Sequence, residues 1–166
     1  MKRILTSWAL AGLLTLNIAA QVGDSIPAAP RLEYVMELKV TCGEPYAVGH
    51  TQHGDRIIIP ITGGTFEGPH IRGTVLSGGA DYQLFDSIKH RNELEAIYSI
   101  RTDDGVTIHI RNTGLWHQEA GGEYFMTSPK FEAPADSRYD WLNNALFICK
   151  PQGKEGYISL PVWKVM

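Results

Sequence analysis

Short runs of alternating or β-branched apolar residues, separated by glycine-containing turns, recur along most of the sequence. Leu32, Tyr34, Met36, Leu38 and Val40 alternate with mostly polar neighbours, which is the period of a half-buried strand. Many short strands with little helix predict a β-sandwich or a β-barrel. We favour an all-β, antiparallel β-barrel, because closing a sheet on itself removes its exposed edges. A barrel of about eight strands can enclose one small ligand.

The first predicted hairpin turns at Gly78 and Gly79, which suit a two-residue loop. This turn would place Thr74 opposite Gln83 on paired strands. One face of the hairpin would then carry the polar side chains of Arg72, Thr74, Asp81 and Gln83. A shift of one residue would exchange its two faces.

The second predicted hairpin turns at Asp104 and Gly105, a strong signal for a tight turn. A two-residue loop here would place Tyr98 opposite Arg111. The same face would carry His109, while the opposite face would hold the residues Ile97, Ser99, Arg101, Ile108 and Ile110. This assignment depends on the turn in the same way as the first.

The chain of 166 residues fits one domain after an N-terminal segment of different character. Lys2 and Arg3 precede an apolar stretch at 4–16, which is followed by Ala19 and Ala20, the layout of a secretory signal peptide. We expect a signal peptide at 1–20, a flexible lead-in at 21–31 and a single β-barrel domain at 32–166. An uncleaved anchor is the alternative, but the apolar stretch is shorter than the ~20 residues of a bilayer span. The cleaved protein would be periplasmic or secreted, without stable membrane insertion.

Two further local features carry structural predictions. Residues 136–143 are typical of one short helix near the C-terminus, with Asp136 or Ser137 as its N-cap. Cys42 and Cys149 end predicted strands and form a candidate disulfide in an oxidising compartment. The alternative is that both cysteines are small buried residues.

Several functional classes find no support in the sequence. A net charge of -3 gives no general electrostatic reason to bind nucleic acid or anionic membranes. The chain contains no Gly-x-Ser-x-Gly elbow, phosphate loop or dinucleotide fingerprint, so we expect no cofactor. His50 and His53 are close in sequence, but their loop position makes them a weak zinc pair, and we predict no metal site.

The polar residues on predicted strands are the candidate functional residues. Arginines can clamp an anion, and tyrosine can donate a hydrogen bond to a developing oxyanion. A carboxylate can act as a base if burial raises its pKa. We therefore predict Asp81 or Glu67 as base, Tyr98 as acid or donor, and four ligand-binding residues: Arg72, Gln83, His109 and Arg111. The alternative is that these polar faces are solvated, as in many antiparallel sheets.

Several separate motifs carry a family resemblance. They are PITGGTFEGP at 60–69, GGADYQ at 78–83, YSIRTDDG at 98–105, IRN at 110–112, YFMTSP at 124–129 and WLN at 141–143. Through them, residues 32–165 resemble domain-of-unknown-function family 3237. The resemblance implies a compact β-barrel that self-associates, and it supplies no catalytic residues. The predicted signal peptide departs from the usual family pattern.

Three hypotheses about function follow from these observations. The first is an exported β-barrel that binds a small aromatic or carbonyl compound and catalyses cofactor-independent acid–base chemistry, such as isomerisation, elimination or cyclisation. The second is a ligand-binding or carrier protein without catalysis. The third is a filled barrel that acts through its self-association as a homo-oligomer. A cavity in the barrel would argue against the third hypothesis.

Overall fold

A computed structural model describes residues 27–166 of the chain. The predicted signal peptide and the part of the predicted lead-in before residue 27 lie outside the described residues. The described part is almost entirely β-structure, with one short 3-10 helix at Asp140–Asn144. Its strands are β1 (Leu32–Cys42), β2 (Tyr46–Thr51), β3 (Gly54–Glu67), β4 (Arg72–Val75), β5 (Gly79–Asp86), β6 (Arg91–Thr102), β7 (Thr107–Glu119), β8 (Gly122–Glu132), β9 (Phe147–Cys149), β10 (Gln152–Lys154) and β11 (Tyr157–Val165).

The eleven strands occupy eight positions around a closed antiparallel barrel. Three positions hold two strands end to end: β1 and β2 both pair with β3, β4 and β5 both lie between β3 and β6, and β9 and β10 both pair with β11. Pairing of β1 with β11 closes the ring. The positions follow one another in chain order, so each strand position pairs with the positions before and after it. The predicted antiparallel barrel is confirmed.

The first predicted hairpin is wrong, because β4 and β5 do not pair with each other. Both pair with β3 and with β6 and run in the same direction. Residues 76–78 interrupt the pairing between them. Gly78 adopts a φ of 105° at this break, in the left-handed region that favours glycine. The break separates the predicted polar face: Arg72 and Thr74 are exposed, whereas Asp81 and Gln83 face the barrel interior.

The second predicted hairpin exists, but its register differs by one residue. Thr102 N donates to Val106 O at 2.9 Å, and Gly105 N donates to Thr102 O at 2.9 Å. The loop therefore contains three residues, with Gly105 at a φ of 89°, a common alternative to the two-residue turn. Tyr98 consequently pairs with Ile110 rather than Arg111. The slip leaves the predicted faces of β6 unchanged but reverses those of β7, so His109 and Arg111 point away from the interior.

One end of the barrel is filled by side chains and covered by the 3-10 helix. Met36, Leu38 and Phe147 are almost completely inaccessible there, and Leu142 of the helix is 1% exposed. The Tyr139 hydroxyl donates to Asp104 Oδ1 at 2.8 Å and ties the helix to the β6–β7 turn. The predicted short helix is therefore only a 3-10 turn. Its N-cap is Tyr139, which makes no side-chain capping bond, rather than Asp136 or Ser137. Ser137 Oγ accepts from Tyr139 N at 3.2 Å just before the helix.

The predicted disulfide is not formed, and both thiols are free in the structure. Cys42 ends β1 and Cys149 ends β9, with β11 between these strands. Two strand spacings amount to about 10 Å, whereas the Cα atoms of a disulfide lie within about 7 Å. Cys149 is a buried residue of the core, and burial raises the pKa of its thiol to about 12.

Candidate functional site

The half of the barrel opposite the 3-10 helix contains a partly open cavity of about 200 Å³. Side chains from all eight strand positions line it, and most of them are apolar. The apolar lining residues are Val40, Ile59, Ile61, Leu94, Ala96, Phe125, Pro151, Ile158 and Leu160. The polar lining residues are Cys42, Asp81, Gln83, Tyr98, Asn112 and Thr127. An apolar cavity with a few convergent polar groups is the usual form of a small-molecule site.

Asp81 is the carboxylate of the cavity, and strand pairing explains its position. It pairs with Ile59 on one side and with Ala96 on the other. The β5–β6 ladder is interrupted next to Asp81, and Asp81 Oδ1 accepts from the backbone N–H of Glu95 at 3.1 Å. Burial raises the pKa of Asp81 above its ordinary value, and two hydrogen bonds to the carboxylate oppose this rise.

A chain of amide side chains holds the carboxylate in place. Gln83 Nε2 donates to Asp81 Oδ2 at 2.7 Å, and Asn92 Nδ2 donates to Gln83 Oε1 at 2.6 Å. These two bonds fix which end of the Gln83 amide faces Asp81. At the end of this series of side chains, Asn92 Oδ1 is buried and has no hydrogen-bond partner among residues 27–166. The arrangement orients Asp81 without neutralising it.

Tyr98 lies next to Asp81 along the cavity wall, on β6. It is 4% exposed, and Gly79 lies directly opposite it. A Cβ at Gly79 would lie 2.5 Å from Tyr98 Cβ, so the absence of a side chain at this position makes room for Tyr98. Burial, then the nearby Cys149 and Asp81, raise the pKa of the Tyr98 phenol far above its ordinary value. Tyr98 therefore stays protonated and can act as a hydrogen-bond donor.

Asn112 and Thr127 complete the polar lining, and the sequence analysis missed both. They are 5% and 7% exposed. Among residues 27–166, Asn112 Oδ1 is buried without a hydrogen-bond partner. Thr127 pairs with Cys149 on β9, and a hydrogen bond with Thr127 partly opposes the rise in the pKa of the Cys149 thiol. A three-residue turn at 103–105 would have placed Asn112 on the same face as Tyr98. The signal for Asn112 was therefore present, but the two-residue register concealed it. The alternation of side chains along β8 was a weaker indication that Thr127 faces the interior.

The structure separates the predicted site residues into two groups. Asp81, Gln83 and Tyr98 line the cavity. The other predicted residues, Glu67, Arg72, His109 and Arg111, lie outside it. Arg72 Nε is 3.0 Å from Asp103 Oδ2 on the surface, and Arg111 pairs with Glu95. Ser99 Oγ and His109 Nδ1 are 3.3 Å apart on the outer face, and Glu67 is exposed.

The ionisable groups of the cavity are all acids. Among residues 27–166, the side chains that line the cavity include Asp81, Tyr98 and Cys42 but no lysine, arginine or histidine. Burial, and then the charge of Asp81, raise the pKa of the Cys42 thiol, which makes it a weak nucleophile at neutral pH. Within the described part of the chain, no three His, Cys, Asp or Glu residues are grouped so as to hold a metal ion. The same residues include no helix long and apolar enough to cross a membrane.

Fold and cavity together define a meandering eight-position β-barrel with a small, mostly apolar internal site. The model of the family described as "Protein of unknown function (DUF3237)" matches residues 30–165, and the chain belongs to this family. A "UPF0311 protein" of Rhodopseudomonas palustris (strain TIE-1) is 37% identical over 135 residues, covering 72% of this chain and 87% of the relative.

Two further similarities concern structure and a named activity. A crystal structure of "a beta-barrel like protein" from Acinetobacter baumannii AYE superposes with a TM-score of 0.78 at 28% identity, covering 86% of this chain and 99% of that one. A protein of Penicillium herquei named "Hydroalkoxylation enzyme phnH" is 26% identical over 147 residues, covering 85% of this chain and 87% of the relative.

Proposed function

We propose that this protein binds a small, largely apolar organic molecule in the barrel cavity and catalyses a cofactor-independent proton transfer on it. The observation that carries the proposal is that a half-buried carboxylate and a buried phenol lie close together on neighbouring strands of the cavity wall. Asp81 has a pKa raised by burial, and Tyr98 has a phenol held in its protonated form. A base of raised pKa beside a fixed donor is a common arrangement in acid–base catalysis.

The two groups have complementary roles. Ionised Asp81 accepts a proton from the substrate, since a carboxylate with a raised pKa is a stronger base than an ordinary one. Tyr98 donates a hydrogen bond to the substrate oxygen on which negative charge develops. The surrounding apolar side chains exclude water, which strengthens both interactions. Glu67, the alternative base in the sequence analysis, lies outside the cavity, so the role of base passes to Asp81 alone.

The name of the Penicillium herquei relative points to one reaction of this kind. Hydroalkoxylation adds the O–H of an alcohol across a carbon–carbon double bond. In an intramolecular version, Asp81 takes the hydroxyl proton, and the oxygen attacks the β-carbon of an unsaturated ketone. The resulting enolate oxygen accepts a hydrogen bond from Tyr98, and protonated Asp81 returns its proton to the α-carbon. Substrate and product are isomers, so the step needs no co-reactant.

Turnover of hydroxyl-bearing unsaturated ketones tests this proposal, because cyclisation removes the absorbance of the conjugated ketone. We expect Asp81→Asn and Tyr98→Phe each to lower kcat by about 10²- to 10³-fold, the usual effect of losing one such group. Arg111→Ala is the matched control, because Arg111 lies on the outer surface. Unchanged turnover in both cavity variants would contradict the proposal.

Ligand binding without catalysis is a second candidate, supported by the largely apolar cavity lining. The same variants separate the two candidates. A compound that stabilises the protein at 100 times its Kd should do so by about 2.7 kcal/mol, which thermal denaturation detects readily. Reproducible stabilisation by compounds that the protein never converts would favour the carrier function.

A further inference from the structure

We propose that Trp116 and Phe125 form an aromatic subsite at the mouth of the cavity, which stacks against the outer ring of a substrate too long for the cavity alone. The inference rests on the proposed function, because it specifies the substrate class of the same site. That class is elongated compounds with a reacting group inside the barrel and a planar ring at its mouth. The subsite gives a role to two side chains that the acid–base chemistry of Asp81 and Tyr98 does not use.

Strand register places Trp116 beside the wall of the cavity. Trp116 on β7 pairs directly with Phe125 on β8, and Phe125 lines the cavity. The pairing of β7 with β6 and β8 contains no register shift, so Trp116 lies on the same face of β7 as Asn112, another lining residue. Directly opposite residues on one face have their Cβ atoms about 5 Å apart. The two aromatic side chains are therefore neighbours on the inner face of the barrel.

The barrel wall is open next to these two residues. Among residues 27–166, β8 joins β9 only through the pair of Thr127 with Cys149, so the strand before Thr127 pairs with β7 alone. Trp116 and Phe125 are only half-buried, although both lie on the inner face. A ligand longer than the cavity can therefore leave the barrel here and pass along both rings.

A hydrogen bond holds the indole of Trp116 in place. Trp116 Nε1 donates to Glu123 Oε2 at 2.6 Å, which uses the single polar group of this side chain. Aromatic rings favour offset-stacked or edge-to-face contacts with other rings, so a planar outer ring suits this position better than an aliphatic one. An anionic outer group is disfavoured, because it would lie near the Glu123 carboxylate.

The cavity volume explains why a second ring would reach the mouth. A cavity of about 150 Å³ lined by apolar side chains is large enough to hold benzene. The cavity here has about 200 Å³, which leaves too little space for two rings joined end to end. A compound with its hydroxyl group near Asp81 and its first ring in the cavity would therefore place its second ring beside Phe125 and Trp116.

Calorimetric titration of the purified protein with three neutral phenols tests the subsite. The probes are phenol, para-phenylphenol and para-cyclohexylphenol, of which the last two differ only in the planarity and aromaticity of the outer ring. We expect para-phenylphenol to bind roughly 2- to 12-fold more tightly than para-cyclohexylphenol, the range of one aromatic pair. Equal or tighter binding of the cyclohexyl compound, or no binding of para-phenylphenol, would overturn the inference.

Two further measurements locate the outer ring. Excess phenol should weaken the apparent binding of para-phenylphenol, because both compounds occupy the cavity. In a nitrogen–proton correlation spectrum, para-phenylphenol should shift the indole N–H resonance of Trp116 and leave those of Trp141 and Trp163 unchanged. Binding without competition by phenol, or without a shift at Trp116, would show that the outer ring lies elsewhere and would reject the subsite.

Trp116→Leu examines the stacking residue directly, because it keeps an apolar side chain and removes the ring. The variant should bind the phenyl and cyclohexyl compounds equally and bind phenol as the unmodified protein does. Tyr124→Leu is the matched control, since Tyr124 is 41% exposed and stacks on His117 on the opposite face of the same two strands. It should keep the preference for the phenyl compound. A preference retained by Trp116→Leu would reject the subsite; if this variant does not fold, the probe series on the unmodified protein still decides.

Binding and turnover distinguish failure of the subsite from failure of the proposed function. Equal binding of the phenyl and cyclohexyl compounds, with turnover that still depends on Asp81, would reject the subsite and leave catalysis standing. A clear preference for the phenyl compound with no turnover of any substrate would reject catalysis and leave the subsite standing. Where a substrate with an outer ring is converted, Trp116→Leu should raise KM and leave kcat unchanged, because the stacking contact is the same in substrate and transition state.

Discussion

Gly79 is the position where a single added methyl group should test the architecture of the site most directly. A Cβ at this residue would lie 2.4 Å from Ile97 O and 2.5 Å from Tyr98 Cβ, both well under the 3.0 Å that real Cβ contacts respect. One of these atoms belongs to the backbone and cannot rotate away. Gly79→Ala must therefore push β5 away from β6 next to Asp81.

The size of the effect follows from the cost of overpacking. Inserting a methyl group into a tightly packed interior costs about 1–3 kcal/mol. Unfolding entropy near 2.1 cal/mol/K per residue gives roughly 0.3 kcal/mol/K for about 140 ordered residues. The expected decrease in Tm is therefore about 3–10 °C. Because one of the two close contacts is with the backbone oxygen of Ile97, we expect a decrease in Tm near the upper end of that range.

Thermal denaturation followed by circular dichroism measures this decrease. Gly121→Ala is the matched control, because a Cβ there meets nothing within 4 Å and the backbone is not in the left-handed region. Its unfolding free energy should change by less than about 0.5 kcal/mol. Gly79→Ala should also lower turnover, because Tyr98 moves. A Tm for Gly79→Ala equal to that of Gly121→Ala would refute the close approach of β5 to β6.

Three further predictions concern charge, packing and thiol chemistry. Burial raises the pKa of Asp81, so the folded protein binds this proton more tightly than the unfolded chain, and stability falls as pH rises from about 3.9 through the raised pKa. Asp81→Asn removes this loss of stability. The Tm of the variant should therefore equal that of the unmodified protein at low pH and exceed it at neutral pH; a difference in Tm that stays constant across the pH range would contradict this reasoning. Leu142→Ala should lower the unfolding free energy by about 2–5 kcal/mol in a denaturant titration, because Leu142 is 1% exposed, yet leave the ligand Kd unchanged. A charged thiol reagent should modify Cys42 before Cys149 in the folded protein, because Cys149 is buried with a pKa of about 12; mass spectrometry showing equal labelling would argue against it.

The local sequence pattern predicted the strands and the class of fold well. Alternation from Leu32 to Val40 reflects a strand with one face on the core, where Met36 and Leu38 are almost inaccessible. Such patterns depend only on the period of the strand and on which side is buried. The same period placed Asp81 and Gln83 on one face, and the structure keeps them together in the cavity.

Predictions that crossed a turn were less successful. A loop of three residues instead of two at 103–105 moved His109 and Arg111 to the outside and brought Asn112 inside. Gly78 lies in an interruption between β4 and β5, which share one strand position instead of forming a hairpin. Arg72 and Asp81 therefore do not lie on facing strands. A slip of one residue reverses every side chain of a strand, and local composition scarcely distinguishes these turn lengths.

By itself, the sequence determined an all-β chain with short strands, glycine turns and membership in a recognisable family, because these depend on local periodicity and on motifs. Only the tertiary structure decided which polar residues share the cavity. That choice depends on turn length, on strands broken within one position and on closure of β1 against β11, which pairs residues more than a hundred positions apart in the chain. Barrel closure also places Asp81, Tyr98, Asn112 and Thr127 around one partly open cavity, where burial raises the pKa values of Asp81 and Tyr98.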